Sequence, residues 1–114
     1  MSAQEKPLPP DFMKPAKTND VPVARLIGFE ASEVADGHTT VALLVGTRHA
    51  NPMGTLHGGI LCDIADAAMG MAFASTLAPD ESFTTVELKI NFFRLVRKAL
   101  PAVPVVVACG HLFQ

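Results

Sequence analysis

The strongest constraint on the fold is one long and almost wholly apolar stretch with acidic residues in its middle. Residues 58–77 place apolar side chains around nearly the whole circumference of a helix, and a turn signal at 78–80 ends it. A helix of this kind must be buried on most of its sides, so the chain must wrap a sheet around it. Because Asp63 and Asp66 interrupt the stretch, it is too short and too charged to span a membrane.

The segments around this helix carry strand patterns. Residues 29–34 and 39–45 flank Asp36-Gly37, which is a strong two-residue hairpin signal. Residues 83–93 alternate between apolar and polar side chains and predict a half-buried antiparallel strand. A last strand is predicted at 103–108. This order of elements predicts an α+β domain.

The length of 114 residues allows one domain, for which 49% apolar residues provide a core. Residues 1–20 contain four prolines among polar residues and are expected to form a flexible arm. Residues 21–114 are expected to form the single domain, which opens with one or two helical turns at 21–27. A chain this small often gains stability by burying further surface in an oligomer.

Charge and cysteine content exclude several classes of function. A formal charge of −2 and a pI near 6.0 argue against a nucleic-acid partner. Cys62 and Cys109 are far apart, without the spacing of a disulfide framework or a zinc site. His38, His49 and His111 show no metal-site spacing either, and they are expected at the surface. Without a signal-peptide pattern, the protein is expected to be cytoplasmic.

Asp66 is the first candidate catalytic residue. It lies mid-helix among aliphatic neighbours, where a carboxylate without partners costs several kcal/mol. It should therefore meet hydrogen-bond donors or keep its proton, and either state suits a general base or a nucleophile. Alternatively, Asp63 and Asp66 lie about 60° apart around the helix and could share a narrow exposed stripe. Periodicity alone leaves both interpretations open.

His57-Gly58-Gly59 stands where the helix begins. The free N–H groups and positive dipole end of a helix start can bind an oxyanion, and glycines let a ligand approach closely. The alternative is an ordinary helix entry with a histidine cap. His57 and Asp66 are separated by about 900° of rotation, or about two and a half turns, and by roughly 13 Å along the axis. They therefore point in opposite directions, and one helix cannot direct both at one small substrate. If both are catalytic, the site lies between two chains, with Gly58 of one meeting Asp66 of the other.

Other polar residues carry weaker signals. Asn51 could position a water or a carbonyl, although forming an Asn-Pro turn is its more common role. Thr85 could supply a hydroxyl, but alone it is more often just a good strand former. A short basic patch could hold the phosphates of a nucleotide-like carrier or form a solvated face, and it comprises Arg94, Arg97 and Lys98.

Together these motifs resemble a known family. Residues 51–59 followed by Asp66 match N-x-x-G-x-x-H-G-G-x(6)-D, the pattern of hotdog-fold thioesterases of the PaaI type, at every fixed position. The resemblance runs from about Val21 to about Lys98, or roughly two-thirds of the chain. It implies an antiparallel sheet wrapped around one long central helix. It also implies hydrolysis of acyl-CoA thioesters without metal or bound cofactor, by a homodimer or a tetramer of two dimers.

The resemblance also assigns roles. Asp66 matches the acid that acts as general base on water or as nucleophile on the thioester carbonyl. The N–H of Gly58 matches the donor that polarises this carbonyl, while His57 supports the loop and Asn51 helps to orient the carbonyl or the water. Thr85 is a weaker match to a strand position that carries a hydroxyl. Weaker matches to positions that contact the substrate or its CoA are Gly59, Arg94, Arg97 and Lys98.

The C-terminal part departs from the family pattern. Leu95 replaces a commonly seen proline, and residues 99–114 are unlike the two long strands that usually follow. The chain is therefore expected to be truncated or frame-shifted near its end, and the sheet to lose pairing at one edge. The expected activity is hydrolysis of an aromatic or medium-chain acyl-CoA. The alternatives are an inactive acyl-CoA-binding or dimerisation module and a hotdog hydratase, although hydratases usually arrange Asp and His differently.

Overall fold

The computed structural model describes residues 21–96 and 105–112 of the chain. In chain order its elements are α1 (Pro22–Ile27), β1 (Phe29–Ala35), β2 (His38–Leu44), a 3-10 helix (Thr47–His49), α2 (Gly58–Ala74) and β3 (Val105–His111). The strands form one antiparallel sheet in the order β1-β2-β3, and α2 packs across β2 and β3. The predicted arm at 1–20 lies outside the described residues.

The hairpin and the last strand are confirmed. Asp36 and Gly37 both have positive φ, at 52° and 80°, which is the geometry of the two-residue turn that suits the twist of a hairpin. β1 contains a bulge between Ala31 and Glu33, where the register with β2 shifts. β3 overlaps the strand predicted at 103–108 and pairs with β2 along all seven of its residues.

Helix α2 begins where the sequence predicts and ends three residues before the predicted end at Leu77. Ser75 caps it: its N–H donates a hydrogen bond to the carbonyl of Met71, and its hydroxyl donates one to the carbonyl of Ala72. The amides of Thr76 and Leu77 bond three residues back, so the last turn tightens into 3-10 geometry instead of continuing the helix. No helix within the described ranges is long and apolar enough to cross a membrane.

The core lies between α2 and the inner face of the sheet. Val41 and Leu43 of β2 are fully buried, and Ile64 and Ala68 of α2 are 1% exposed. Gly110 of β3 lets the helix approach closely, because a Cβ there would lie 2.6 Å from the carbonyl carbon of Ala68. The burial predicted around most of the helix is only partly confirmed, since its outer face leaves some large side chains 40–45% exposed, namely Met69 and Phe73.

Residues 83–93 (the 83–93 segment) do not join the sheet, and the strand predicted there is wrong. They belong to no strand pairing among the described residues. The predicted buried face is only partly covered, because Leu88 and Ile90 are half-buried whereas Val86 is 94% exposed. Alternation in a sequence shows which side chains share a face, but a strand also needs a hydrogen-bonded neighbour from elsewhere in the chain.

Candidate active site

Asp66 lies on α2 with its carboxylate against the 83–93 segment. The hydroxyl of Thr85 donates to Asp66 Oδ1 over 2.7 Å. Asp66 is half-buried whereas Asp63 is exposed, so the two do not share one open stripe. The carboxylate has the donor that a semi-buried acid requires, and Oδ2 accepts no hydrogen bond from the described residues.

An apolar cavity of about 210 Å³ opens beside this pair. Ala24 of α1 and Phe29 of β1 form two of its walls, and Met71 of α2 forms another. Its polar lining consists of Asp66 and Thr85, which are bonded to each other. A carboxylate at the edge of an otherwise apolar cavity is the arrangement expected of a site that binds a hydrocarbon group and performs chemistry at one end of it.

The start of α2 presents backbone donors. His57 Nδ1 accepts from the N–H of Gly59 over 2.8 Å, and the N–H of Ile60 bonds the carbonyl of His57 over 3.0 Å. The N–H of Gly58 has no acceptor among residues 21–96 and 105–112. His57 therefore acts as the helix cap that the sequence allowed, and the Gly58 amide remains available to an incoming oxygen.

Asn51 folds its own loop. Its Oδ1 accepts from the N–H groups of Met53 and Thr55, each over 3.0 Å, and its Nδ2 donates to the Thr55 hydroxyl over 2.8 Å. These bonds use the amide oxygen and one of the two amide hydrogens. The contacts match the turn-forming interpretation of Asn51, and one N–H of its side chain remains for a ligand.

The basic patch is described only in part. Arg94 is exposed and lines a second cavity, of about 190 Å³, together with Gly58 and Asn51. Arg97 and Lys98 lie outside the described residues, and their roles stay predictions. The second cavity thus combines a cationic side chain with the helix start.

Within one chain the two halves of this site do not meet. Gly58 and Asp66 are eight residues apart on α2, which places them about 12 Å apart along the helix axis. They line two separate cavities, one with Arg94 and one with Thr85. A single small group cannot contact both within one chain.

His49 was expected at the surface, and this expectation is wrong. Its ring is 3% exposed, with Nδ1 accepting from the N–H of Gly46 over 2.9 Å and Nε2 donating to the carbonyl of Ile27 over 2.6 Å. The partners identify the neutral ring with its proton on Nε2. The ring holds the end of α1, one wall of the apolar cavity, to the loop before α2. In the described part of the chain no cluster of three or more His, Cys, Asp or Glu could hold a metal.

One long helix on an antiparallel sheet, carrying a half-buried acid beside an apolar cavity, defines a hotdog-like α+β protein. The thioesterase superfamily model matches residues 53–100. A Pseudomonas aeruginosa protein named as an esterase is 35% identical to this chain over 77 residues. These residues are 67% of this chain and 58% of that protein. The 1,4-dihydroxy-2-naphthoyl-CoA hydrolase of Listeria monocytogenes is 34% identical over 65 residues, 57% of this chain and 53% of that enzyme.

A solved structure extends the likeness to the fold. A mutant of the phenylacetic acid degradation protein PaaI from Thermus thermophilus superposes with a TM-score of 0.66 at 26% identity, over 78% of this chain and 70% of that one. Residues 53–100 thus resemble the thioesterase superfamily, and the chain has the hotdog fold of PaaI-type proteins, as the sequence motif predicts. It spans between half and three-fifths of the length of the two curated relatives above.

Proposed function

We propose that this protein hydrolyses the thioester of an acyl-CoA that carries an aromatic or medium-chain hydrocarbon group. The observation that carries the proposal is the Asp66–Thr85 pair at the edge of the apolar cavity. An engineered cavity of roughly 150 Å³ binds benzene, so about 210 Å³ suits an acyl group of that order. The names of the two curated relatives, an esterase and an acyl-CoA hydrolase, agree with this chemistry.

The proposed roles follow from the contacts. Thr85 holds one oxygen of Asp66 and leaves Oδ2 to take a proton from water or to attack the thioester carbonyl. The free N–H of Gly58 donates to the oxygen that becomes negative as the carbonyl is attacked. Arg94, beside Gly58, supplies a positive charge for CoA phosphates. His57 fixes the helix start, and Asn51 shapes the loop before it.

The site is proposed to form between two chains. Since Gly58 and Asp66 lie about 12 Å apart along one helix, a two-fold arrangement that brings Gly58 of one chain to Asp66 of its partner gives each carbonyl both groups. Such a dimer contains two equivalent sites.

A non-catalytic role is the second candidate. The 83–93 segment carries Thr85 and lies outside the sheet. If the segment moved, Asp66 would lose its donor, and the chain would bind acyl-CoA or dimerise without turning the substrate over.

Thiol release from a panel of acyl-CoAs tests the activity. Asp66→Asn keeps the shape of the side chain and should lower kcat by about 10²–10⁴-fold, which is the usual contribution of a general base. Calorimetric titration of a non-hydrolysable alkyl-CoA thioether, in which the thioester carbonyl is absent, separates the two candidates. Turnover that Asp66→Asn abolishes supports the enzyme; binding without turnover in the unaltered protein supports the alternative.

A mixing experiment tests the shared site. Gly58→Pro removes the N–H, and proline is tolerated at the first position of a helix. His57, at φ −65° and ψ 132°, already has the extended conformation that a following proline requires. Gly58→Ala is the matched control, since it adds a Cβ against Phe92 and keeps the N–H.

Gly58→Pro and Asp66→Asn should each be inactive alone. When equal amounts of the two variants exchange subunits, half of the dimers are heterodimers, and each of these has one intact site of two. About a quarter of the activity of the unaltered protein should therefore return. If the mixture stays as inactive as its components, although exchange has occurred, the two-chain site is refuted.

A further inference from the structure

We infer that Phe83 closes the far end of the acyl cavity and sets the length of the hydrocarbon group that the site accepts. The inference rests on the proposed function, because it takes the cavity beside Asp66 as the acyl pocket. It concerns a residue that the sequence motif leaves outside the site.

The position of Phe83 follows from two contacts between α2 and the 83–93 segment. Thr85 bonds Asp66, and the Phe83 ring packs on Gly70, where an added Cβ would lie 3.2 Å from its Cε2 atom. Asp66 and Gly70 are one helical turn apart, about 6 Å along the axis. Residues two apart in an extended chain share a face, so Phe83 and Thr85 both point at the helix.

The cavity therefore has a reactive end and a closed end. A carbonyl attacked by Asp66 would direct its hydrocarbon group along α2 toward Gly70, between α2 and the wall made by Ala24 and Phe29. Phe83 lines the same cavity at the level of Gly70. An acyl group longer than about one helical turn, roughly 6 Å, would meet its ring.

Gly70 seats this ring, and Phe73 contacts it from outside the cavity. Gly70 leaves room for the ring on the helix surface, because a Cβ there would also approach its Cζ atom to 3.3 Å. Phe73 packs edge-to-face against the ring, with centroids 5.7 Å apart and planes at 86°. Phe73 does not line the cavity, so it contacts the ring without bordering the acyl group.

The test compares straight-chain acyl-CoAs from acetyl to decanoyl. Phe83→Ala opens the closed end, and each further methylene that becomes buried should gain roughly fourfold in kcat/KM. The ratio of kcat/KM for octanoyl-CoA over butanoyl-CoA should therefore rise by at least about tenfold. Phe83→Leu, a milder truncation, should move the ratio in the same direction by less, and it covers the case in which Phe83→Ala fails to fold.

Phe73→Leu is the matched control. It removes the aromatic contact to Phe83 without enlarging the cavity, so the chain-length profile should stay within about threefold of the unaltered protein. An unchanged profile in both folded Phe83 variants overturns the inference, and so does an equal change in Phe73→Leu.

A binding measurement separates this inference from the proposed function. Alkyl-CoA thioethers of increasing length, which cannot be hydrolysed, are titrated into the unaltered protein and Phe83→Leu. If no thioester is hydrolysed but the preferred thioether lengthens in Phe83→Leu, the activity is wrong and the role of Phe83 stands. If no thioether binds and no thioester is hydrolysed, both fail; if turnover occurs and the preferred length does not change, only the role of Phe83 fails.

Discussion

Replacing His49 with phenylalanine should lower the free energy of unfolding by about 2–3 kcal/mol. The ring is 3% exposed, and the substitution keeps a planar ring but removes its bonds to Ile27 and Gly46. Each bond contributes about 1 kcal/mol net, and the half-buried amide of Gly46 that loses its acceptor adds roughly another. The carbonyl of Ile27 keeps one donor, the Nη2 of Arg48 at 3.0 Å, which limits the loss.

Urea unfolding followed by circular dichroism measures this loss. With a slope near 1 kcal/mol per M for a small domain, the midpoint should fall by about 2–3 M. Arg48→Ala is the matched control, because it removes the other donor to the same carbonyl from an exposed side chain, and its cost should stay below about 1 kcal/mol. If Arg48→Ala costs as much as His49→Phe, the buried ring is not what joins α1 to this loop.

Three further changes have definite expected outcomes. Thr39→Val should raise the free energy of unfolding by about 1 kcal/mol in thermal denaturation, because the Thr39 side chain is 2% exposed and its hydroxyl has no partner within the described ranges; a lower Tm would contradict this. Gly110→Ala should cost at least about 2 kcal/mol in urea unfolding, since its Cβ would overlap the backbone of Ala68, and a neutral result would show that α2 can shift. Arg94→Ala should raise KM for an acyl-CoA several-fold at unchanged kcat, and the rise should be smaller at high salt. Steady-state kinetics at two ionic strengths measures this, and a fall in kcat with KM unchanged would contradict it.

The features that the sequence predicts correctly are those fixed by neighbouring residues. Asp36-Gly37 determines the hairpin because both positions need positive φ, and the spacing from Gly58 onward determines where α2 starts. The nine-residue motif with Asp66 at its fixed distance is also local, so the family could be predicted from the chain alone. The hydrogen bond between Asp66 and Thr85 was not predicted, because 19 residues separate them and the resemblance indicated only a hydroxyl at Thr85.

The features that the sequence misses depend on distant parts of the chain. Nothing around His49 indicates that its ring will be buried, because its partner Ile27 lies 22 residues earlier. The alternation in the 83–93 segment correctly predicts partial burial of Leu88 and Ile90 but not a strand, since the segment has no partner among the described strands. Phe83 gives no signal of its own, because its place follows only from the ring packing on Gly70.

The two functional candidates differ in how firmly the 83–93 segment is held. It makes no ladder with the described strands and contacts α2 through side chains, with Phe83 on Gly70, Thr85 on Asp66 and Phe92 near Gly58. Side-chain contacts restrain a segment less than the backbone hydrogen bonds of paired strands do. An acyl group that fills the cavity should therefore stabilise the segment as well as bind to it. Amide hydrogen exchange should then slow at 83–87 when an alkyl-CoA thioether is added. If it does not, the Asp66–Thr85 pair forms independently of the acyl group, and the segment needs no ligand to place it.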